Sequence, residues 1–458
     1  IDRDAHQVLV RRLDDGVEER LDYDRLVLSP GAGPIVPDLP GIERGMALRT
    51  VPDADRITAL IADRNPATAV VVGGGFIGVE AAENLRHRGI AVSIVELAPQ
   101  VLAPLDAEMV APVHAELRAG GVELALGVGL AKILPESVEL ADGRQLPADL
   151  VVLAIGVRPE TTLARAAGLT IGARGGIAVD ESMRTSDPDI YAVGDAVEKS
   201  DRISGEAGLI PLANTANRQG RLVADAIAGR PVRLGGRIGT AIVQVFGLTV
   251  AVTGWNERRL LAAGRAYRAV HTHPAHHAGY YPGAQPMAMK LLFDPQTLEI
   301  LGAQAVGRDG VDKRIDVIAT AMRAGLTAVD LADLELAYAP PYGSAKDPVN
   351  MLGYVAENLT AGHYDSVQWH ELSQRLADGA HLVDVRTPGE FAAGHVPGAV
   401  NLPVDELRGR MADLPDGDLI VTCQVGVRAH TATMLLAGLG RRVASLDGGY
   451  LTWRAGQG

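Results

Sequence analysis

The chain has 458 residues, of which 22% are charged and 47% are hydrophobic. This length predicts about three domains, and the apolar content excludes a disordered protein. The net charge of −13, with no basic run, argues against nucleic acid as a partner. The single cysteine, Cys423, excludes an internal disulfide and a cysteine-based zinc cluster within this chain.

The first elements bear on location. The chain opens in a predicted strand at residues 7–10, without a signal-peptide pattern. A long uncharged run, residues 238–256, contains three glycines and several polar residues. This run therefore predicts two β-strands with a turn at 246–248 and not a membrane span. We expect no membrane association and a location in the bacterial cytoplasm.

A β-α-β unit is predicted over residues 68–96. A strand at 68–72 leads into a helix from about residue 77 to 88, and a second strand covers 91–95. Between them, Gly73, Gly75 and Gly78 fit the pattern GxGxxG, and the position between strand and helix gives this pattern its specificity. The glycines permit a tight turn, approach of the backbone to a pyrophosphate, and close packing of helix on strand. The sequence predicts a dinucleotide site; the alternative is a glycine-rich turn in an ordinary β-α-β unit.

Glu96 indicates which dinucleotide is bound. It stands 23 residues after Gly73, where a carboxylate can accept hydrogen bonds from ribose hydroxyls. At 4 Å and an effective dielectric of 20, a 2′-phosphate would be repelled by about 4 kcal/mol per pair of unit charges. Residues 97–101 contain no Arg or Lys to compensate. We therefore expect NADH to be preferred over NADPH.

A glycine-aspartate pair follows a strand further along the chain. The segment 185–195 contains Tyr191 and ends with Gly194 and Asp195. The glycine would let the backbone approach a ligand, and the aspartate would bind a hydroxyl group of a sugar chain. Taken alone, the pair is typical of an ordinary turn. In series with the GxGxxG loop, it resembles the second flavin motif of the two-dinucleotide-fold flavoprotein reductases.

Other segments extend this resemblance over nearly the whole chain. Residues 29–32 and 154–156 are similar to the motifs that connect the FAD and NADH domains of that superfamily. Residues 211–220, 277–283 and 338–350 resemble coenzyme A-disulfide reductase. They resemble more closely its rhodanese-fused relatives, the NADH-dependent coenzyme A-persulfide and polysulfide reductases.

The resemblance implies a set of site residues. Asn217 and Lys346 would contact coenzyme A, and Tyr280 and Tyr338 would be catalytic residues near the flavin and the substrate thiol. A lysine suits the phosphates of coenzyme A, although without this context Lys346 would be interpreted as a surface residue. The residues implied to bind FAD or NADH are Gly73, Gly75, Gly78, Glu80, Glu96, Gly156, Ser29, Gly31, Ala32, Tyr191, Gly194, Asp195, Pro211, Leu212, Ala213 and Tyr354.

The chain departs from the family pattern at its beginning. The family starts with its own glycine-rich FAD β-α-β unit and a redox-active cysteine, and position 1 here corresponds to a strand beyond both. The one complete GxGxxG is already assigned to NADH, so we expect this chain, expressed alone, to hold no stoichiometric FAD and to lack reductase activity. Bound FAD would mean instead that residues 73–78 serve FAD.

The segment from residue 366 onward predicts a separate compact unit. Residues 382–401 resemble the rhodanese signature, and a predicted strand at 419–422 leads into Cys423. A cysteine between a strand and a helix N-terminus faces backbone N–H groups that favour its thiolate. Arg428 would stabilise a persulfide or an anionic sulfur donor, and the four residues between Cys423 and Arg428 make the short loop suited to sulfur. The alternative is a buried cysteine that behaves as a small hydrophobe.

Two further groups of polar residues are interpreted as structural. Three residues of the rhodanese-like signature are expected to support it by hydrogen bonds: Asp384, Arg386 and Glu390. Four clustered histidines stand among Thr, Pro and Ala with no carboxylate partner, so they predict a loop near substrate and not a metal site. They are His271, His273, His276 and His277.

These observations together predict an α/β fold, a flavoprotein with FAD and NADH Rossmann-like domains, an α+β dimerisation domain and a C-terminal rhodanese domain. The expected FAD-binding domain comprises residues 1–65 and 180–236, and the NADH-binding domain comprises 66–179. The dimerisation domain is expected at 237–360, a linker at 361–365, and the rhodanese domain at 366–458.

The expected function is a sulfur relay. The resemblance implies that NADH reduces FAD and that the upstream redox cysteine cleaves the S–S bond of a coenzyme A persulfide, polysulfide or disulfide. Cys423 would transfer sulfane sulfur, and a homodimer would act on these small thiol and persulfide substrates. Two alternatives stay open: an NADH oxidase or peroxidase on the same scaffold, and a sulfur carrier whose flavoprotein part is a non-catalytic scaffold.

Overall fold

The computed structural model describes residues 1–457. These residues form two compact units, of which the first comprises Ile1–Gly78 and Val128–Gly239 and the second comprises Val79–Gly127 and the described residues from Thr240 onward. Within residues 1–457, no helix is both long enough and apolar enough to cross a membrane. Helices and strands are mixed throughout, which confirms the predicted α/β class.

The α-helices begin and end where local chemistry favours it. Thr50 and Asp53 form a capping box at the start of the helix Val51–Arg64. Asp347 and Asn350 form another at the start of the helix Pro348–Thr360. In chain order the helices are α1 (Val51–Arg64), α2 (Phe76–His87), α3 (Ala107–Ala119), α4 (Thr162–Ala166), α5 (Ala213–Ile227), α6 (Glu257–Ala262), α7 (Val311–Ala324), α8 (Pro348–Thr360), α9 (Leu372–Ala377), α10 (Pro388–Ala392), α11 (Val427–Gly438) and α12 (Gly449–Gly456).

The strands are short, and many are rich in Val, Ile and Leu. In chain order they are β1 (Gln7–Arg11), β2 (Glu18–Asp22), β3 (Leu26–Leu28), β4 (Ala32–Pro34), β5 (Gly45–Ala47), β6 (Thr68–Val72), β7 (Ala91–Glu96), β8 (Val122–Leu126), β9 (Leu130–Ile133), β10 (Ser137–Leu140), β11 (Gln145–Pro147), β12 (Leu150–Leu153), β13 (Val157–Pro159), β14 (Ile190–Ala192), β15 (Lys199–Ser200), β16 (Ala207–Gly208), β17 (Ala241–Val245), β18 (Leu248–Gly254), β19 (Arg268–Thr272), β20 (Met287–Phe293), β21 (Ile300–Gly307), β22 (Asp365–Val367), β23 (His381–Asp384), β24 (Val400–Asn401), β25 (Leu419–Thr422) and β26 (Val443–Leu446).

The first unit is built on short parallel ladders. Strand β12 pairs in parallel with β5 on one side and β6 on the other, and β14 pairs in parallel with β3. A small antiparallel sheet has the order β11-β10-β9. Parallel strands carry their carboxyl ends to one edge, so the loops after β6 and β12 leave from the same edge, as do those after β3 and β14.

The second unit contains an antiparallel sheet and a parallel sheet. Five antiparallel strands have the order β17-β18-β21-β20-β19, and helix α7 packs on β18 and β21. Five parallel strands near the C-terminus have the order β22-β26-β25-β23-β24. Strand β8 also pairs in parallel with β7 within this unit.

Several predicted elements occur where the sequence placed them. The strand at 68–72 and the strand at 419–422 match β6 and β25, and the run at 238–256 forms β17 and β18 around the predicted turn. The C-terminal sheet begins at Asp365, which pairs with Ala444. The domain bounds stay predictions.

Candidate functional site

The glycine loop after β6 has the conformation that the GxGxxG pattern requires. Gly73 has a φ of +106°, and a Cβ there would lie 2.5 Å from the Ala154 carbonyl oxygen. A Cβ at Gly78 would collide with the carbonyl of Gly73, so helix α2 can start this close only with glycine. A Cβ at Gly75 would meet nothing within 4 Å, and Gly75 is exposed. The loop therefore presents free backbone surface at its centre, which suits a phosphate group.

Two acidic residues predicted to bind the dinucleotide lie in the second unit. Glu96 is the last residue of β7, and its Oε1 accepts a hydrogen bond from the Ala98 N–H at 2.8 Å. Glu80 lies on α2, and partial burial, together with the neighbouring charge of Glu83, raises the pKa of its carboxyl. Their predicted contacts with a nucleotide stay predictions.

The predicted flavin segments of the first unit come together at the ends of β3 and β14. Tyr191 pairs with Val27 in this parallel ladder and is buried. Ser29 directly follows β3, and a Cβ at Gly194 would lie 3.8 Å from the Ser29 hydroxyl oxygen. The sequence motifs at 29–32 and 185–195, far apart in the chain, thus form one edge.

Asp195 and the connecting motifs surround the same edge. Arg49 donates to Asp195 Oδ2 at 3.0 Å and to the Ala32 carbonyl at 3.2 Å. Ala32 pairs with Pro159 between β4 and β13, and the adjacent Gly156 has a φ of +105° and accepts a hydrogen bond from the Ile35 N–H. Residues 29–32, 154–156 and 194–195 therefore share one site, and Arg49 is a member that the sequence analysis missed.

Helix α5 closes this edge. Leu212 is the N-cap residue of α5, so Pro211 and Ala213 flank the start of the helix. Buried Lys199 donates to the carbonyls of Gly194 and Ile210, at 2.7 and 3.0 Å, and so joins the two flavin motifs. Burial lowers the pKa of Lys199 to about 8. No sequence pattern predicted Lys199, although the chain's lysines are few and this one lies four residues after Asp195.

Two buried polar atoms test whether this edge fits a flavin. Within residues 1–457, Asp195 Oδ1 and Gln219 Nε2 have no hydrogen-bond partner. Gln219 is fully buried on α5 and uses its Oε1 to accept the Gly194 N–H at 3.0 Å. An unpaired acceptor on Asp195, together with an unpaired donor on the residue that binds the adjacent Gly194, suits a ligand with several hydroxyl groups, and the ribityl chain of FAD is such a ligand. The residues of the first unit therefore fit FAD.

Cys423 lies in a tight loop between β25 and α11 of the second unit. The Gly426 N–H donates to Cys423 Sγ at 3.2 Å, and Gly426 is the left-handed N-cap of α11 with a φ of +93°. The thiol is fully buried and packs in a hydrophobic cluster with Val421 and Ala429. The loop thus has features of both interpretations of Cys423. A backbone N–H is directed at the sulfur, as for a reactive thiol, and the surroundings are apolar, as for a buried structural cysteine.

Two arginines brace this loop. Arg428 donates to both carboxylate oxygens of Glu390, at 2.7 and 2.6 Å, and this pairing lowers the pKa of Glu390 to about 2. Arg386 is buried, binds Asp384 through its Nε and Nη2, and donates to Gln424 Oε1 at 2.9 Å. Arg386 thus connects Gln424 of the loop to Asp384 at the end of β23, as a residue that supports the loop.

A cavity of about 370 Å³ lies between α8 and the Cys423 loop. Lys346 and Tyr354 line one side, and the loop residues Val425, Gly426 and Val427 line another. Lys346, predicted to contact coenzyme A, and Tyr354, predicted to bind a cofactor, therefore line the same cavity as the loop predicted to transfer sulfur.

The remaining predicted residues are exposed. The hydroxyls of Tyr280 and Tyr338 are 2.9 Å apart in the second unit, and this hydrogen bond raises the pKa of Tyr338. Asn217 lies on the exposed side of α5 in the first unit. Their predicted contacts with substrate stay predictions.

The interpretation of His271 as a histidine without a carboxylate partner is wrong. Its Nδ1 lies 2.5 Å from Asp447 Oδ2 and its Nε2 lies 2.9 Å from Glu108 Oε1, within a strand and not a loop. Both carboxylates are far from His271 in the sequence, so its local surroundings gave no sign of them. The detectable signal was Lys290, a lysine within the apolar strand β20.

Lys290 also explains a cluster of acidic groups. Asp106, Glu108 and Glu257 place carboxylate oxygens within 4.8 Å of one another, a spacing that a metal ion can use. The ammonium of buried Lys290 lies 2.8, 2.5 and 3.3 Å from these three carboxylates and provides their positive charge. The carboxylates thus have a counter-ion from the chain itself.

Comparisons with known families match three parts of the chain. The family model described as pyridine nucleotide-disulphide oxidoreductase matches residues 1–220, and that family's dimerisation domain matches 240–348. The rhodanese-like domain matches residues 368–456. These matches confirm a pyridine nucleotide-disulphide oxidoreductase fold with a dimerisation domain and a C-terminal rhodanese-like domain.

Similar proteins include structures with the same combination of modules. The crystal structure of reduced Bacillus anthracis CoADR-RHD has 48% identity and a TM-score of 0.98, over 100% of this chain and 83% of its own. A NAD-dependent persulfide reductase from A. fulgidus has 37% identity and a TM-score of 0.92, over 99% of this chain and 84% of its own.

Similar curated proteins carry two different names. Coenzyme A disulfide reductase of Staphylococcus aureus is 33% identical over 78% of this chain and 80% of its own length. An NADH oxidase of Methanocaldococcus jannaschii is 36% identical over 77% of this chain and 80% of its own length. The comparisons therefore agree on the scaffold and differ on the final electron acceptor.

Proposed function

The chain belongs to the pyridine nucleotide-disulphide oxidoreductase family, and we propose that it serves an NADH-dependent reductase of coenzyme A persulfide, polysulfide or disulfide that is coupled to sulfur transfer at Cys423. The observation that carries this proposal is the cavity lined by Lys346 and by the Cys423 loop. A substrate held there by Lys346 lies beside residues 425–427 of the loop that would supply its sulfur.

The sulfur-transfer step uses residues of the second unit. The Cys423 thiolate attacks the sulfane sulfur of a donor such as thiosulfate, the donor S–S bond breaks, sulfite leaves, and Cys423 carries a persulfide. The Gly426 N–H, which now points at Sγ, and the guanidinium of Arg428 stabilise the negative charge. A thiol acceptor then takes the outer sulfur and becomes a persulfide.

The reductive step balances with one NADH. Coenzyme A persulfide, NADH and a proton give coenzyme A, hydrogen sulfide and NAD⁺, whereas coenzyme A disulfide gives two thiols and NAD⁺. Bound FAD would supply the two-electron carrier between NADH and sulfur. The FAD would be held by the edge that contains Ser29, Gly194 and Asp195, with Lys199 fixing the backbone and Asp195 accepting from a hydroxyl.

Dimerisation and location complete the proposal. The match of residues 240–348 to the family's dimerisation domain supports a homodimer. Small thiols and persulfides are the proposed substrates, and we place the enzyme in the bacterial cytoplasm, where NADH and coenzyme A are available.

The test is anaerobic turnover of the full-length protein. NADH oxidation and sulfide release are measured together, with coenzyme A persulfide as substrate. We expect one sulfide per NADH, and no NADH oxidation when substrate is omitted. Cys423→Ser is the matched variant, in which reduction of added coenzyme A persulfide continues while sulfide release from thiosulfate stops.

An NADH oxidase is the second candidate, because a relative with 36% identity carries that name. It predicts rapid NADH oxidation by oxygen without any sulfur substrate. Oxygen-dependent turnover that exceeds persulfide-dependent turnover at saturating substrate would favour the oxidase and contradict the proposed function.

A further inference from the structure

A buried chain of charged groups runs through the second unit and ends beside the Cys423 loop. Asp447 follows β26, His271 lies on β19, Glu108 on α3 and Lys290 on β20. Each of these side chains is 4% exposed or less. The contacts alternate in charge: His271 lies between Asp447 and Glu108, and Lys290 lies 2.5 Å from Glu108.

His271 is held as an imidazolium by this surrounding. Each ring nitrogen lies within hydrogen-bond distance of a carboxylate oxygen, so only the doubly protonated ring donates to both. Burial alone would lower its pKa, but Asp447 and Glu108 outweigh burial and raise the pKa to about 9. The other groups that act on it are Lys290, which opposes protonation, and His273, which is neutral because burial lowers its pKa to about 4.

Asp447 is fixed from several sides. Its Oδ1 accepts the His271 backbone N–H at 3.2 Å, and its Oδ2 accepts from Gln368 Nε2 at 3.2 Å. Trp369 donates to Glu108 Oε2 at 3.1 Å, so the neighbouring residue also contacts the charge chain. The imidazolium of His271 is therefore the central member of a network that holds the segment after β26 in place.

This segment supports the Cys423 loop directly. Gly448 and Gly449 both have positive φ, and a Cβ at Gly448 would lie 2.7 Å from the His271 Cβ. A Cβ at Gly449 would lie 2.5 Å from the Cys423 carbonyl oxygen and 2.9 Å from the Gly426 nitrogen. The next residue, Tyr450, donates its backbone N–H to the Cys423 carbonyl at 2.8 Å. The glycine turn is thus packed between His271 and the sulfur-transfer loop.

We propose that His271 is a positioning residue for sulfur transfer: its imidazolium fixes Asp447 and the Gly448–Gly449 turn, and this turn holds the Cys423 loop in the conformation that directs the Gly426 N–H at Sγ. The inference rests on the sulfurtransferase activity proposed above and adds a pH dependence to it. Because the folded-state pKa of His271 is raised from 6.5 to about 9, its contribution is complete below pH 6.5 and is lost as the pH rises through about 9.

The experiment compares the full-length protein with His271→Gln between pH 6 and pH 10. Two rates are measured: sulfur transfer from thiosulfate to an acceptor, and alkylation of Cys423 by iodoacetamide, located by peptide mass spectrometry. Each wild-type rate is divided by the variant rate at the same pH, so that ionisation of the thiol, donor and acceptor cancels. We expect the sulfur-transfer ratio to be roughly 10 at pH 7, as for a misplaced reacting group, and to approach 1 at pH 10.

Two further variants make the result specific. Asp447→Asn removes the charge partner and keeps a side chain of the same shape, so it should reproduce the pH-dependent ratio. His273→Gln is the matched control, because His273 is neutral in this pH range and binds Thr452 instead, at 2.7 Å. It should change the rate by the same factor at every pH.

The outcomes separate the two proposals. A pH-dependent alkylation ratio without any sulfur transfer in the wild type would overturn the proposed sulfurtransferase activity and keep His271 as the residue that positions the loop. Ratios that are equal at pH 7 and pH 10 for both rates would overturn the role of His271. If His271→Gln fails to fold, as judged by circular dichroism, the same ratios measured on Asp447→Asn decide the question.

Discussion

The glycine loop at residues 73–78 and the cysteine loop at residues 423–426 have the same arrangement of strand, loop and helix. They differ in whether the loop backbone is open or contacts a side chain of the loop itself. Each follows a buried parallel strand and leads into the N-terminus of a helix. At Gly75 the backbone is open, because a Cβ there would meet no atom within 4 Å, so an external phosphate has room to approach it. At Gly426 the N–H is already directed at the chain's own Cys423 sulfur.

The difference lies in what fills the loop. The first loop contains four glycines and no reactive side chain, so specificity depends on residues outside it, of which Glu96 is the predicted one. The second loop carries the reactive atom itself and is braced by the side chains of Arg386 and Arg428. We therefore expect one strand-loop-helix arrangement to serve binding where its backbone is left open, and covalent chemistry where a backbone donor meets a side chain of the loop itself.

The largest expected effect comes from removing the atom that fills the second loop. Cys423→Ser should lower sulfur transfer from thiosulfate by more than roughly 10³-fold, as loss of a nucleophile does. Bleaching of the flavin by NADH, measured by stopped flow in the full-length protein, should change by less than about twofold, because the glycine loop is untouched. A severe loss of bleaching in this variant would show that the two loops are not functionally independent.

Glycine substitutions sharpen the comparison within the first loop. Gly78→Val should destabilise the protein by about 2 kcal/mol or more, because its Cβ collides with the Gly73 carbonyl. Gly75→Ala should leave the free energy of unfolding within about 0.5 kcal/mol, since its Cβ meets nothing, and should weaken NADH binding by filling the phosphate approach. Urea unfolding and NADH titration of both variants measure the two effects. Equal destabilisation by both substitutions would contradict the assigned roles.

The sequence predicted the parts of the site that depend on local pattern. The GxGxxG loop and the Cys423 loop are continuous segments whose strand, turn and helix each leave a signal, and β6, β25 and their loops occur as expected. The segments predicted to bind flavin also come together, and each of them carries a recognisable glycine. Patterns of this kind are visible because one short segment contains both the turn and the residues that need it.

The rest depended on contacts between distant segments. His271, Glu108 and Asp447 belong to three separate elements, and nothing near His271 in the sequence shows that two carboxylates will meet it. Lys199 and Arg49 connect motifs through side chains of ordinary residue types. The cavity shared by Lys346 and the Cys423 loop likewise exists only in the fold, because residues of α8 and α11, which are distant in the sequence, line the same space.

Cofactor preference tests the residue predicted to give the first loop its specificity. Glu96→Ser combined with Leu97→Arg should remove the repulsion of a 2′-phosphate and add a cation for it, with a shift of roughly 10-fold or more toward NADPH. The measurement is the ratio of kcat/KM for NADPH and NADH in flavin reduction. Leu97→Arg alone is the control, because Glu96 remains and the shift should be smaller. Equal turnover of the unmutated protein with both nucleotides would contradict the role of Glu96.

The smallest effect on stability and sulfur transfer is expected at the partly exposed ion pair of Arg428 and Glu390, next to the cysteine loop. Arg428 and Glu390 form a bidentate pair with about a third of each side chain exposed, so Glu390→Gln should cost only about 0.5 kcal/mol of stability. The folded-state pKa of Glu390 is lowered to about 2, so the pair contributes fully above pH 4.5 and is lost only as the pH falls through about 2. Between pH 5 and pH 9, the ratio of wild-type to Glu390→Gln sulfur-transfer rates should therefore be flat, whereas the ratio for His271→Gln should fall. A slope in the Glu390→Gln ratio within that range would show that the exposed pair of Arg428 and Glu390, and not the buried pair of His271 and Asp447, sets the pH dependence of sulfur transfer.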